Sequence, residues 1–345
     1  VKKIIITKIW EKKMSKNIIG FVLIDAPHSA LNNAGSDVGA RAENTVVVKT
    51  IKKGKDVYPY VSSQAWRYWW RETLANKFNW EMSPITREKK IAFTSANPFQ
   101  YPDDDIFGYM RAVKGNGGTL TRVSILKNSP LVSVCPAQPI NDFGVMARHE
   151  GDPVPYEHQF YSCILKGIFS LNTDEAGKFF TANKSGFQNL TEDYVNMDVI
   201  KDSIEQLGAV NNAQQKYWEL PKEIKKQRIT DTIKALPFLS GGAKLGLHLT
   251  DVTPKFIILA LIEGGNQPFM NITSENNVKI LNIAALKEVI RDYKESFISD
   301  IYIGKSEGFL PDLTEELIFS EEEKIKVSAP MQAVNNFISY LNNSL

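Results

Sequence analysis

Two serines at a helix start, with arginines one and two turns further on, are the residues of this chain best suited to do chemistry. Tyr58 to Leu74 reads YPYVSSQAWRYWWRETL. Ser62 and Ser63 offer N-cap hydroxyls, and Gln64 to Leu74 contains no Gly or Pro, so the stretch predicts a helix that opens at the serines. Trp66, Trp69, Trp70 and Leu74 recur at helical spacing and form its apolar stripe, while Gln64, Arg67, Tyr68 and Arg71 share another face. Arginines four apart repel slightly unless an anion lies between them. The amides and dipole of a helix start attract that same anion. A phosphate suits this set; a capped, Trp-rich core helix with two solvated arginines is the plainer reading.

A second loop can approach phosphates. Leu239 to Gly246 (LSGGAKLG) brings Gly241 and Gly242 next to Lys244, but its spacing fits neither a Walker loop nor a dinucleotide fingerprint. The run Asp103-Asp104-Asp105 suggests either a metal or a helix start, where the dipole favours carboxylates. Partners at coordination spacing are missing, and the helix start is adopted. His28, His149, His158 and His248 are dispersed along the chain without HExxH or CxxC spacing, so no zinc site is expected. Neither Cys135 nor Cys163 lies in a nucleophile motif, and Gly-x-Ser-x-Gly is absent. What remains is binding chemistry without a cofactor or metal: basic and small polar residues in loops, with aromatic and apolar groups that can stack on bases.

Composition narrows the classes. The 345 residues are 43% hydrophobic, enough for a packed core, and no apolar run is long enough to span a membrane. Two cysteines in so long a chain point to a reducing cytoplasm, and a signal-peptide pattern is absent. The net charge of +2 is unevenly spread: residues 1–78 are rich in Lys and Arg, and residues 301–324 carry seven acids. Such asymmetry fits an anionic ligand on one side, or copies stacked head to tail.

The elements that must position these groups follow from pattern. Residues 1–15 predict a poorly ordered extension, and 16–345 one domain with insertions. Asn17 to Asp25 (NIIGFVLID), Thr45 to Ile51, Thr119 to Leu126, Tyr161 to Leu171 and Lys255 to Ile262 predict strands. Ile283 to Phe297 and Pro330 to Leu341 predict amphipathic helices, the second with Met331, Val334, Phe337, Ile338 and Leu341 inward. Cys135 to Tyr156, punctuated by four prolines, predicts a long projecting loop or hairpin with Phe143, Val145 and Met146 beside Arg148. Residues 174–235 predict a helical insertion. The sum is α+β, with one sheet and large insertions.

Four blocks in series carry a resemblance. ALNNAGSDVGARAENTVVVKT (Ala30 to Thr50), YPYVSSQAWRYWWRETL, DDDIFGYM and the SGGAKLGLHL loop together resemble the CRISPR-associated autoregulator family of DevR type, over Met14 to about Leu261. This resemblance implies a ferredoxin-like, RNA-recognition-motif-like core sheet with palm, fingers and thumb. It further implies a non-catalytic backbone subunit of a type I Cascade antiviral complex, of subtype I-B. Copies would polymerise head to tail along the guide RNA, beside other Cascade subunits, and present the RNA to a target DNA strand. RNA contacts are then expected from Asn32, Asn33, Lys49, Ser62, Ser63, Gln64, Arg67, Arg71, Arg122, Arg148, Gly241, Gly242 and Lys244. The thumb falls within residues 135–160, with Phe143, Val145 or Met146 as its wedge. The alternative is a metal-independent endoribonuclease of related fold with His28, at a strand end, as general base; no partner for it is identifiable. In related backbone subunits a loop aspartate and a metal cut RNA; Asp37 and Asp103 are the residues to consider.

Overall fold

Why the chain folds around Lys16–Ser29 is visible in that strand, β1, whose residues are apolar on both sides. Ile18, Val22, Ile24 and Ala26 enter one core, and Ile19, Phe21 and Leu23 the other. A strand of this kind must lie inside a sheet covered on both faces. The computed structural model places it there, and it describes residues 14–36, 45–112, 118–183, 188–274, 280–319 and 324–345. Of the extension expected at residues 1–15, residues 1–13 lie outside the described residues, as does Asp37. Met14 and Ser15 already belong to the fold, with the Ser15 carbonyl accepting from Gly264 N at 2.8 Å.

In chain order the principal elements are β2 (Asp56–Val61), α1 (Ser63–Phe78), α2 (Pro102–Phe107), β3 (Leu126–Asn128), β4 (Leu131–Ser133), β5 (Ile140–Met146) and β6 (Val154–Asn172). There follow α3 (Lys222–Lys234), β7 (Phe256–Glu263), β8 (Ile301–Lys305), β9 (Ile325–Ser328) and α4 (Pro330–Ser344). The fold is α+β. Its large sheet runs β9-β8-β7-β1-β6-β4-β2, with β3 also on β6, and all these pairs are antiparallel except β8–β9. Strand β1, helix α1, strands β3/β4 and β6, helix α3 and strand β7 thus alternate in sequence, and their strands stand in the order β7-β1-β6-β3/β4.

One face of the sheet is covered by α1, α3 and α4. Trp66, Trp69, Trp70 and Leu74 pack there, as the spacing predicts, with Ile229, Ile233, Val334, Phe337 and Leu341. The indole of Trp70 donates to Thr232 O at 2.8 Å and so ties α1 to α3. Gly20 is required below this layer, because a Cβ would sit 2.1 Å from the Phe169 ring that meets Trp70 edge-on. In α4, Val334, Phe337, Ile338 and Leu341 are buried as expected, but Met331 is 40% exposed: the first turn meets Gly304 of β8 through Pro330 and Ala333 instead.

A satellite core joins residues 96–120 to 179–220 through Phe99, Tyr109, Leu120, Phe179, Leu190, Tyr194, Ile200, Ile204 and Leu220. This is the region in which a helical insertion is expected. Besides Glu192–Val195 and Asp198–Leu207, the segment builds a three-stranded sheet from Lys178–Phe180, Tyr217–Glu219 and Val210–Asn212, and α3 belongs to the main core. Strands of three residues are too short to show alternation.

The two cores meet at a buried ion cluster. Asp105, on α2, pairs with Arg122 and with Arg228, the latter at 2.9 Å, and accepts from Gly177 N at 3.0 Å. Arg122 also donates to Asp105 O at 2.7 Å, Lys178 O at 2.7 Å and Glu175 O at 3.0 Å, and Arg228 donates to Pro98 O at 2.8 Å and to Phe99 O. Burial pulls the Arg228 guanidinium below its ordinary value, and Asp105 opposes that pull. Asp103 and Asp104 cap neighbouring backbone, accepting from Ser83 N at 2.9 Å and Asn97 N at 3.0 Å. The aspartate run is therefore a helix start that organises the chain, as adopted above. Among the described residues no group of three or more His, Cys, Asp or Glu is arranged to hold a metal.

Candidate nucleic-acid interface

The helix start predicted from the two serines exists. Ser62 caps α1, its hydroxyl accepting from Ala65 N at 3.3 Å, and the first turn carries no acidic residue. Three separate stretches converge on it. Asn32, after β1, accepts from Ser62 N through its side chain at 2.8 Å, and its carbonyl accepts from Lys49 N at 3.0 Å. The Lys49 carbonyl in turn takes Tyr60 N at 3.0 Å. The Gly-rich loop closes the set, with Ala243 N donating to Leu31 O at 3.0 Å.

The glycines of that loop have a packing reason. At Gly241 a Cβ would lie 2.2 Å from the Trp69 ring, and at Gly242, where φ is +118°, it would lie 2.6 Å from the Leu31 side chain. They let the loop press against α1 and the strand-end loop, so that Lys244 stands at the seam, or groove, where these segments meet. Asn33 opens the short strand Asn33–Ser36, and Gln64 is exposed on the helix start. Asn32, Asn33, Lys49, Ser62, Ser63, Gln64 and Lys244 thus lie on segments joined by backbone and side-chain hydrogen bonds.

The arginines are used differently from what the sequence suggests. Arg67 donates to Leu126 O at 2.6 Å, Asn128 Oδ1 at 3.1 Å, Phe107 O at 2.8 Å and Ser124 Oγ at 2.9 Å. Burial, with a smaller push from Arg71, brings its pKa down to about 10. Both of its terminal nitrogens are engaged in holding α1 to the 107–128 segment. Arg71 lies over the Phe107 ring, 4.3 Å from its centre, half-buried between α1 and α2. Arg122 is 4% exposed in the ion cluster, and its expected RNA contact is corrected to a structural role. Arg148 stays exposed in the turn that follows β5.

The segment read as a projecting loop or hairpin is a hairpin. β5 pairs with the outer half of β6 from Ile140↔Phe160 to Met146↔Val154. Phe143, Val145 and Met146 are exposed by 62%, 48% and 52%. A strand pair with apolar groups in water on this scale has surface to offer a partner. Its base is braced by Thr45–Val48, which pairs in parallel with β6 at Glu157 and His158.

That base holds a cluster that sequence spacing does not reveal. His158, on β6, is buried, lies 3.4 Å from the Asp142 carboxylate on β5, and packs its ring against His248 at 5.7 Å between centres. His248 comes from the turn Leu245–His248 and also meets Phe160. Burial, then the nearby His158 and His28, hold the His248 imidazole below its ordinary value, while a hydrogen bond to the His28 backbone opposes them. His28 itself is exposed, in a left-handed conformation at φ +36°, where the β1–β6 register shifts. Three of four histidines dispersed in sequence are therefore neighbours.

Residues 26–280 match the family model described as CRISPR-associated negative auto-regulator DevR/Csa2. No curated protein sequence matches the chain. Among solved structures, a chain of a CRISPR RNA-guided surveillance complex superposes with a TM-score of 0.54 at 12% identity, covering 94% of this chain and 99% of that one. A chain of a CRISPR RNA-guided surveillance complex in a pre-nicking state gives 0.56 at 10% identity, covering 94% and 100%. At such identities the likeness bears on fold. The family match spans most of the sequence, and the chain belongs to the CRISPR-associated DevR/Csa2 family.

Proposed function

We propose that this protein is a non-catalytic, guide-RNA-binding backbone subunit of a type I Cascade complex, with copies stacked head to tail along the RNA. The observation that carries the proposal is the convergence of Asn32, Lys49, the Ser62 cap and the Lys244 loop on one groove, with an apolar hairpin projecting from the same end of β6. A helix start free of acids, with lysines beside it, suits the sugar-phosphate backbone; exposed Phe143, Val145 and Met146 suit a wedge between nucleotides. The strand order β7-β1-β6-β3/β4, with α1 and α3 on one face, supports the RNA-recognition-motif-like palm, and residues 135–160 supply the thumb. Target DNA then pairs with bases that the protein leaves free. The subtype I-B assignment rests on the sequence blocks alone.

Salt titration of single-stranded RNA binding tests the reading. With contacts made mainly to phosphates, log K falls with log salt by roughly 0.7 per phosphate neutralised, and unrelated sequences bind alike. Salt-independent binding, or strong preference for one sequence, contradicts it. The nuclease alternative gains one observation, the imidazole of His248 next to His28. Labelled repeat RNA is nevertheless expected to remain intact; cutting that disappears in His28→Ala decides for the nuclease.

A further inference from the structure

Between the groove and the hairpin lies a turn whose most exposed residues are leucines. Leu247 is 60% exposed and Leu249 is 85% exposed. Solvation of an isolated leucine is ordinary, but the backbone here is not. Lys244 and Leu249 bracket the single helical turn Leu245–His248, both in the left-handed region, at φ +56° and +46°. A bulky residue in that region is disfavoured by contact of its Cβ with the following carbonyl, and such a conformation persists only where surrounding structure imposes it.

The surroundings do impose it. Leu249 N donates to Leu245 O at 2.9 Å, and Leu247 N and His248 N both donate to Lys244 O, at 2.9 and 3.1 Å. Before the turn, Ala243 is held by Leu31; after it, the Thr250 hydroxyl lies 2.8 Å from that of Ser29. In the middle, His248 is seated against His158 and Phe160 at the hairpin base. The turn is fastened on both sides, yet two of its three leucines, Leu247 and Leu249, make little use of the interior. A glycine or asparagine would adopt the Leu249 conformation more easily, so packing does not account for the leucine.

We propose that Leu247 and Leu249 form a second apolar contact for single-stranded RNA, packing on the base and ribose of a nucleotide whose phosphate lies at the Ser62–Lys244 groove. This rests on the RNA-binding reading and deepens it by giving a role to two leucines of the SGGAKLGLHL block that are not among the expected RNA contacts. RNA is favoured over a second copy of the chain because the turn continues the cationic and amide-lined groove on one side and the apolar hairpin on the other. A strand of RNA passing from one to the other crosses it, offering alternately phosphate and base.

The test uses the full chain and a short oligouridine of about eight nucleotides, within the site size of one single-strand module. Leu249→Asn keeps a residue suited to the left-handed backbone and removes the apolar surface. Its melting temperature should equal or slightly exceed that of the wild type, while its affinity for the oligouridine falls about tenfold, the effect of losing one buried leucine. Leu249→Met keeps apolar surface and should bind within about twofold of wild type. Leu247→Asn should lose affinity in the same sense. If Leu249→Asn binds the oligouridine as the wild type does, the proposal is overturned, whether or not the variant alters self-association; a change in self-association alone assigns the leucines to contacts between copies. If the wild type itself does not bind RNA, the RNA-binding reading fails first, and this inference with it.

Discussion

Charged residues in two regions of this molecule do opposite work. At the junction of the two cores, Asp105, Arg122 and Arg228 are buried and paired, and the two arginines donate to the carbonyls of Pro98, Asp105, Glu175 and Lys178. At the groove, Lys49, Gln64 and Lys244 stand on a frame of backbone hydrogen bonds with their side chains half or fully exposed. Arg67, Arg122 and Arg228 serve the architecture, whereas the lysines, amides and small polar groups at the α1 start are left towards solvent. Planar guanidinium forks suit fixed carbonyl geometry, whereas a lysine ammonium adapts to a mobile phosphate.

The largest expected effect comes from the first region. Asp105→Ala leaves Arg122 and Arg228 buried without a counter-ion, and breaking a buried pair in this way costs about 3–5 kcal/mol. Urea unfolding should show that loss. A change below about 1 kcal/mol means the cluster is better solvated than its burial indicates, and the contrast between the regions weakens.

A smaller effect, on binding rather than folding, is expected from the second. Lys49→Gln with Lys244→Gln should leave the urea midpoint near that of wild type. If each lysine neutralises one phosphate, the salt slope for single-stranded RNA becomes shallower by about 1.4 in total. An unchanged slope, with binding intact, moves the electrostatic contact away from the groove.

How legible these regions were differs for a physical reason. Continuous apolar runs mark β1 and β7, and helical spacing marks the Trp66, Trp69, Trp70, Leu74 stripe, because burial of a strand or a helix face leaves a local pattern. The Ser62 cap was readable for the same local reason. Spacing does not show that Arg67 and Arg122 engage carbonyls and a carboxylate, partners that only the tertiary fold brings near; Arg228 meets Asp105 across 123 residues of sequence. The His158–His248 contact was invisible likewise, and so was the small sheet of three-residue strands. Residue type indicated that a guanidinium would be satisfied by acceptors; it did not say whether these would be the protein's own.

The smallest expected effect concerns the seam between groove and hairpin. The His248 pKa is depressed in the fold by burial and by His158 and His28, so its neutral form is favoured there. The unfolded chain takes up a proton near pH 6.5 before the folded one does. Stability from this site is therefore complete above about pH 6.5 and declines as pH falls through the lowered folded value. Melting curves from pH 7.5 to 5 should show a decline that is shallower in His248→Gln. Parallel curves for the two proteins place the titrating group elsewhere.

The central claim is that groove and hairpin act together, so that copies assemble in order along RNA. Sedimentation of wild type and a deletion of residues 141–151 on long single-stranded RNA tests it most directly. The deleted segment is largely exposed, and its removal should spare the fold and binding at the groove. Wild type is expected to add cooperatively in steps of fixed RNA length, and the deletion to bind without forming ordered filaments. Regular filaments from the deletion, or no RNA-dependent growth of the wild type, would contradict the account.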